Sequence, residues 1–482
     1  MKLVWLRRDL RTRDNRAFAV AQMSGDSFVA VYAATPGQWD AHNMSSVQRD
    51  LIFRRLSALN NELGINNIPL GFIESENFET AVCDVTAIAQ SIGADEIIAQ
   101  REYEVNEARR DALLTKKATA AGIKVSLIHD RCVLPPGSVL SAKSEVYKVF
   151  TPFKRAWLKT LADVNWYPVK AVSNDTLPTV EHSAFHQTTE RLESHIMMES
   201  AGWSVDEMSI LRSLREFTSG RAARYDADRD FPSKDGTSVL SPYLAIGALS
   251  PRQCLARVLE DYPELSLDGN GGPAVWISEI IWREFYQHLS AAFPKISRGE
   301  TFIDWGDNVK WDNNQDLFEA WKSGKTGFPI VDAAMRQLAE TGWMHNRLRM
   351  IVASFLTKDL LIDWRCGEAW FSQKLVDLDY ASNNGGWQWS ASTGTDAQPY
   401  FRIFNPTSQG QRFDPNGDFV REWVPELREI EGAKVHEPHK WADKKGVNLD
   451  YPLPIVDHAE RRKEAISRFE LARGKQSLAQ EA

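Results

Sequence analysis

The sequence predicts an α/β domain built on a doubly wound parallel sheet, joined by a long linker to an all-helical domain. Three observations carry this expectation. Up to about residue 130, short apolar runs alternate with helical stretches, the pattern of a parallel sheet with crossover helices. From about residue 204 onward helix follows helix with little alternation. Between them, 131–203 is irregular and rich in Pro, Ser and Thr. At 482 residues the chain is long for a single core, so the expected domains are 1–130, a linker at 131–203, and 204–482.

The elements follow in order. "KLVWL" (2–6) and "SFVAVYAAT" (27–35) read as buried strands, with a short helix at 17–23 between them. The stretch 47–64 has the spacing of an amphipathic helix closed by Gly64. Three more strands are expected at 68–74, 94–100 and 123–130, separated by helices at 77–92 and 104–121. No G-x-G-x-x-G follows the first strand, so a dinucleotide fingerprint is absent. The linker carries one expected helix, near 152–162, and His182 and His186 read as surface residues despite their metal-like spacing. The second domain is expected to hold helices at 204–218, 250–261, 273–292, 314–323, 329–341, 345–361 and 366–376.

Composition narrows the class. The chain is 43% hydrophobic and 25% charged, the balance of an ordinary folded protein. It has no apolar run of about 18 residues, so no spanning helix is expected. Its start turns charged after six residues, and its four cysteines are scattered without paired spacing; a cytoplasmic protein is expected. The formal net charge of −8 means that any nucleic-acid contact needs a local basic patch. Tryptophan is the outlier: thirteen of the 17 lie beyond residue 200. Buried indoles need hydrogen-bond partners, so this is a costly filler, and a flat aromatic ligand explains the excess better.

Four stretches could carry chemistry. In "TSVLSP" (237–242), Ser241 before Pro242 has the signature of a helix cap, and hydroxyls at a helix start can hold an anion. On the helix expected at 273–292, Glu279, Trp282, Arg283 and Tyr286 share one face, while Ile277, Ile281 and Phe285 can face the core. In "GWMHNRLRM" (342–350), Asn346, Arg349 and Met350 share a face, and the charges of Arg347 and Arg349 need partners, with Asp377 and Asp379 as candidates. Finally, "DLDYASNNGGWQWSASTGTDAQPYFRIFNP" (377–406) places Trp387 and Trp389 in a segment of poor helix and strand propensity, where Gly385 and Gly386 permit close approach and unusual dihedrals.

Taken together, "LVWLRRDLRTRDN", "IWREFY", "GWMHNRLRM", "DWR" and "NNGGWQWSASTGTDAQPYFRIFNP" resemble the photolyase/cryptochrome flavoproteins, and within them the bacterial class I cyclobutane pyrimidine dimer (CPD) photolyases. The resemblance implies an α/β antenna domain and a helical domain holding FAD. It places FAD contacts on Tyr225, on Thr237, Ser238, Val239, Leu240 and Ser241, on Trp276, and on Asp377, Leu378 and Asp379, with Arg349 pairing Asp377 and Asn383 facing flavin N5. It implies light-driven repair, in which reduced, anionic FAD gives an electron to a flipped-out CPD in DNA and recovers it after the ring splits. Extrusion of the damaged bases from the helix is a general property of photolyases, carried over with the resemblance and not read from these residues. Glu279, Asn346 and Met350 would meet the dimer, and Trp282, Arg283, Tyr286, Arg229, Arg347 and Gln409 would contact DNA. Trp387, Trp364 and Trp311 match the family's electron-transfer tryptophans.

By the same resemblance, His42, Asn106 and Glu107 would bind a 5,10-methenyltetrahydrofolate antenna. Ser297–Arg298 stands where the family has Cys–Lys, which keeps the cation and loses the sulfur, and a deazaflavin antenna is the alternative. A monomer needing no protein partner is expected. Repair of (6-4) photoproducts fits poorly, because those relatives carry histidines where this chain has Asn346 and Met350. A signalling cryptochrome is the alternative from another class, and single-strand-preferring relatives remain open.

Overall fold

The five expected strands form one parallel sheet in the computed structural model, which describes residues 1–480. They are β1 (Lys2–Leu6), β2 (Phe28–Ala34), β3 (Leu70–Glu74), β4 (Glu96–Gln100) and β5 (Lys124–Ile128), ordered β3-β2-β1-β4-β5. All five residues of β1 are buried, and Lys2 is in register with Phe28 on one side and Glu96 on the other. A near-continuous apolar run is what a central parallel strand covered on both faces requires. Leu3, Trp5, Val29, Val31 and Ile97 pack with Val82 and Val85 of the helix Phe78–Ser91 and with Leu114 of the helix Val105–Ala120. Because β1 has neighbours reached by opposite crossovers, the strand order opens a crevice at the carboxyl ends of the strands.

The chain forms two compact units. The first comprises 1–223, 238–294 and 376–381; the second comprises 224–237, 295–375 and the residues from 382 onward. The tract 131–203 belongs to the first unit and is fastened to it along its length. Glu284 accepts hydrogen bonds from the backbone N–H groups of Val133 and Leu134 and, at 2.7 Å, from the Trp157 indole on the helix Phe150–Ala162. Val169 N–H donates to Asp14 (2.9 Å), and the Asn174 side chain exchanges bonds of 3.1 and 2.8 Å with the Phe28 backbone. Further on, Met197, Met198 and Ser200 N–H groups all donate to Asp50. His182 Nδ1 accepts from Ala184 N–H and so caps a short turn.

The second unit is helical. The helix expected at 345–361 is Asn346–Ser354, widening into a π-helical turn at Phe355–Asp359. A larger correction concerns 380–391, expected to lack regular structure: Tyr380–Ala391 is an α-helix. Ala381, Asn384, Trp387, Gln388 and Ala391 are buried at helical spacing, and burial of that stripe outweighs the poor propensity of Asn and Gly. Gly385 and Gly386 are therefore helical, without the unusual dihedrals expected of them. No helix among the described residues is long and apolar enough to cross a membrane.

Candidate active site

The helix Gly272–Ala292 realises the expected two-sided pattern. Ile277, Ile281 and Phe285 are fully buried, whereas Glu279, Trp282, Arg283 and Tyr286 are half-buried along one face. Phe150 stacks on Trp282 with ring centroids 3.7 Å apart, which covers one face of the indole and fixes its plane. Arg283 is turned inward: its guanidinium donates to the Arg131 carbonyl at 2.8 Å and lies 3.9 Å from Asp379. Trp276, earlier on the same helix, is buried against Phe217 and donates its indole N–H to Ser238 Oγ at 3.2 Å, so two expected cofactor contacts meet directly.

The segment leading to Ser238 is under local constraint. A Cβ on Gly236 would lie 2.9 Å from the Asp228 carbonyl oxygen, so only glycine fits there. Val239 has φ of 52°, a left-handed conformation costly for a β-branched residue and characteristic of functional loops. Ser241 does not cap the short helix it opens, which corrects the capping signature: Leu240 is the cap, and it makes no side-chain cap bond. Tyr225, in the second unit, is buried beneath the Arg229 guanidinium at 5.3 Å. In the first unit Asp379 is buried; burial pushes its pKa up, but Arg131 and Arg283 outweigh this and hold it well below the usual carboxylate range.

In the second unit, Asn383 is oriented by its neighbours. Its amide nitrogen donates to the Glu368 carbonyl (3.1 Å) and to Ser372 Oγ (3.2 Å), so Oδ1 is the end of the side chain left to accept. Next to it, Asn384 donates to Glu368 Oε1 at 2.9 Å and accepts from Gln388 at 2.9 Å. Trp387 lies 5.0 Å from Phe371 and 6.1 Å from Trp321, ring centroid to ring centroid. Trp364 is fully buried, and Trp311 is half-buried against Phe469. The three expected electron-transfer tryptophans thus run from buried to half-exposed.

On the helix Asn346–Ser354, Asn346 is exposed and Met350 half-buried. Arg347 finds its partner in Asp230, at 2.8 Å, and not in Asp377 or Asp379; its guanidinium also lies 4.5 Å over Phe413 of the helix Pro406–Phe413, which carries the half-buried Gln409. Arg349 donates to the Met344 carbonyl at 2.8 Å. His345 caps the helix start, and burial lowers its pKa to about 4.

The first unit holds a partly open cleft at the carboxyl ends of β1 and β2, lined among others by Arg7, Arg8, His42, Gln48, Glu102 and Glu107. His42 Nε2 is 3.0 Å from the Asn106 amide and its Nδ1 is 3.8 Å from Glu107, so these three expected antenna contacts converge. Burial, with Glu104 and Glu102 nearby, raises Glu107 to about 7. Among the described residues, Arg7 Nε and Nη2, Arg8 Nη1 and Gln48 Oε1 are buried without a protein partner, which fits a ligand bearing both acceptors and donors. In the second unit, Arg298 pairs with Glu300 at 3.0 Å.

Sequence reasoning missed the residues that orient others: Glu368 and Ser372 behind Asn383, Trp321 and Phe371 around Trp387, and Glu284. A signal existed for some of them. Trp364, Gly367, Glu368, Phe371 and Ser372 form one buried stripe at helical spacing, in which Glu368 is the odd charge. Glu284 sits one position from an expected DNA contact, and only tertiary packing separates their roles.

The donor set fits FAD. Taken unit by unit, the Ser238 hydroxyl and the Trp276 indole in the first, and the acceptor amide of Asn383 in the second, are the kinds of groups that a diphosphate and an isoalloxazine require. The profile of the FAD binding domain of DNA photolyase matches residues 276–471, and that of DNA photolyase matches residues 2–174. The deoxyribodipyrimidine photo-lyase of Vibrio cholerae is 48% identical over 476 residues, covering 98% of this chain and 100% of the relative. Among solved structures, a bacterial class III photolyase from Agrobacterium tumefaciens superposes with a TM-score of 0.84 at 34% identity, covering 98% of each chain. A cryptochrome from Synechocystis superposes with a TM-score of 0.85 over 97% of this chain and 98% of its own, at 28% identity, and so is no better match in sequence. With both profiles matched in order and a full-length relative at this identity, the chain belongs to the DNA photolyase family.

Proposed function

We propose that this chain is a light-driven DNA-repair lyase that splits cyclobutane pyrimidine dimers, acting as a cytoplasmic monomer on double-stranded DNA. When bound and reduced, FAD supplies the photoexcited electron that opens the dimer and takes it back. The chain's own residues bind, orient and screen. Tyr225, Thr237 to Ser241, Trp276, Arg349 and Asp377 to Asp379 hold the cofactor, and Asn383 offers Oδ1 as a neutral acceptor. A carboxylate in its place would repel an anionic flavin.

Glu279 bonds the base edges of the flipped dimer, and Asn346 and Met350 line its pocket. Trp282, fixed by Phe150, and Tyr286 give it flat walls. Arg229, Arg347 and Gln409 face the DNA; Arg283, also expected there, is instead turned inward onto the Arg131 carbonyl and Asp379, where its charge serves a buried carboxylate. Trp387, Trp364 and Trp311 carry electrons inward when the cofactor needs reducing. His42, Asn106 and Glu107 hold a reduced-folate antenna; a deazaflavin is the alternative occupant. In domain terms 1–130 is the antenna domain, 131–203 the linker, and 204–482 the catalytic domain.

The observation that carries this reading is the helix Gly272–Ala292, whose half-buried Glu279, Trp282 and Tyr286 face and whose Trp276–Ser238 bond serve substrate and cofactor from one rigid element. The test is direct: reduced, flavin-loaded protein under blue light is expected to restore a defined thymine dimer in duplex DNA. Flavin-loaded protein that leaves the dimer intact sinks the reading. Glu279→Gln is expected to lower dimer affinity or repair yield with FAD still bound.

A further inference from the structure

Residues 375–379 connect the helices Trp364–Lys374 and Tyr380–Ala391 without regular structure of their own, so the carbonyls there need donors from elsewhere. One side chain supplies two of them. Gln48, on the helix Ser46–Ile65, donates from Nε2 to the Val376 carbonyl at 3.2 Å and to the Leu378 carbonyl at 2.9 Å. Gln48 is almost wholly buried, and 328 residues separate it from Val376. An amide nitrogen carries two N–H groups, so both bonds can form together and fix the spacing of the two carbonyls.

The carboxylate that follows is held equally firmly. Arg131 donates to Asp379 Oδ2 at 2.6 Å while its other arm bonds Glu104 at 3.0 Å, and Gln287 donates to both Asp379 oxygens at 3.1 Å. All of these groups are buried, and all belong to the first unit. Arg131 is also the first residue of the tract that reads as linker.

We propose that Gln48 and Arg131 are positioning residues for FAD: they hold the 376–379 segment in the shape in which Asp377, Leu378 and Asp379 meet the cofactor. This rests on the proposed assignment of that segment to FAD. Neither residue belongs to that FAD-contacting set, so their effect passes through backbone spacing and the orientation of Asp379. A side chain that merely braced the first unit would matter for melting and leave flavin binding alone.

The experiment measures FAD release from the holoprotein, as the rise in flavin fluorescence, together with the visible circular dichroism of bound flavin and the melting of the apoprotein. Gln48→Leu and Arg131→Met are expected to release FAD about tenfold faster, the equivalent of one good hydrogen-bonded contact, and to alter the flavin dichroism. Arg131→Lys, which keeps a cation beside Asp379, should recover part of the loss. Lower apoprotein melting with wild-type release and dichroism would overturn the proposal. Should Arg131→Met fail to fold, Gln48→Leu decides, because it removes no charge. If the unsubstituted protein takes up no FAD, the assignment of the segment fails with it; if it holds FAD and Gln48→Leu releases it at the same rate, only this inference fails.

Discussion

Glu368 shows how one buried side chain ties stability to pH. Burial raises its pKa to about 7, although the bond from Asn384 opposes the shift. An unfolded glutamate loses its proton near pH 4.3, so between there and about 7 the folded state binds more protons than the unfolded one. Stability from this group is therefore full in acid, lost as pH rises through that window, and flat above it. Glu368→Gln keeps an acceptor for Asn384 and removes the titration. It is expected to stabilise the apoprotein by on the order of 2 kcal/mol above pH 7, with little gain at pH 4, measured by denaturant unfolding across pH. A second residue-scale outcome concerns Trp311: Trp311→Phe is expected to slow photoreduction of oxidised flavin, followed by absorbance under steady light, while pre-reduced protein still repairs. Loss of repair in that assay would show the role assigned to Trp311 to be wrong.

Two glycines in neighbouring helices make opposite demands. A Cβ on Gly367 would lie 2.1 Å from the Trp387 ring and 2.6 Å from Leu356, both buried. Gly367→Ala is expected to destabilise by about 1–3 kcal/mol through overpacking, read as a lower melting midpoint together with a shift in Trp387 fluorescence. Gly386 is exposed and helical, and a Cβ there meets nothing within 4 Å. Gly386→Ala is expected to stabilise the apoprotein by about 0.5–1 kcal/mol in the same melt. The pair also marks the limit of what the sequence discloses. The helix Gly272–Ala292 was legible because its apolar and polar residues separate at helical period, and the strands because their apolar runs are short and bounded. Tyr380–Ala391 was not, since its buried stripe includes Asn384 and Gln388, polar residues whose bonds to Glu368 and Phe302 exist only in the folded chain. The same reason hid Gln48 and Arg131, whose partners lie hundreds of residues away.

For the molecule as a whole, buried charge is where stability is most exposed. Arg252 is fully buried, bonds Asp14 at 3.0 Å and also pairs with Asp130, while Arg11 pairs with Asp130 from the other side. Arg252→Met strands carboxylates in the core and is expected to cost about 3–5 kcal/mol in denaturant unfolding. Acid acts on both units. His288 in the first and His345 in the second are both lowered to about 4 by burial, against an ordinary value near 6.5. Between those values the unfolded chain binds protons that these two imidazoles refuse, so each costs stability as pH drops from about 6.5 toward 4. Glu368 and Glu107, raised to about 7, contribute in the opposite direction. His288→Gln is expected to lose less melting midpoint than the unsubstituted protein over that range.

The fastening of residues 131–203 has a consequence for how the chain breaks. Cys132, Val133 and Leu134 are buried behind the Glu284 carboxylate, and Arg131 is itself enclosed, so trypsin is expected to spare the bond after Arg131. Lys170 is exposed within the same tract and offers a cut site. Val169 on one side of that cut is bonded to Asp14, and Asn174 on the other to Phe28, so the severed ends have little freedom to separate. A nick at Lys170 should therefore yield two fragments on a denaturing gel that still travel as one particle on a native column.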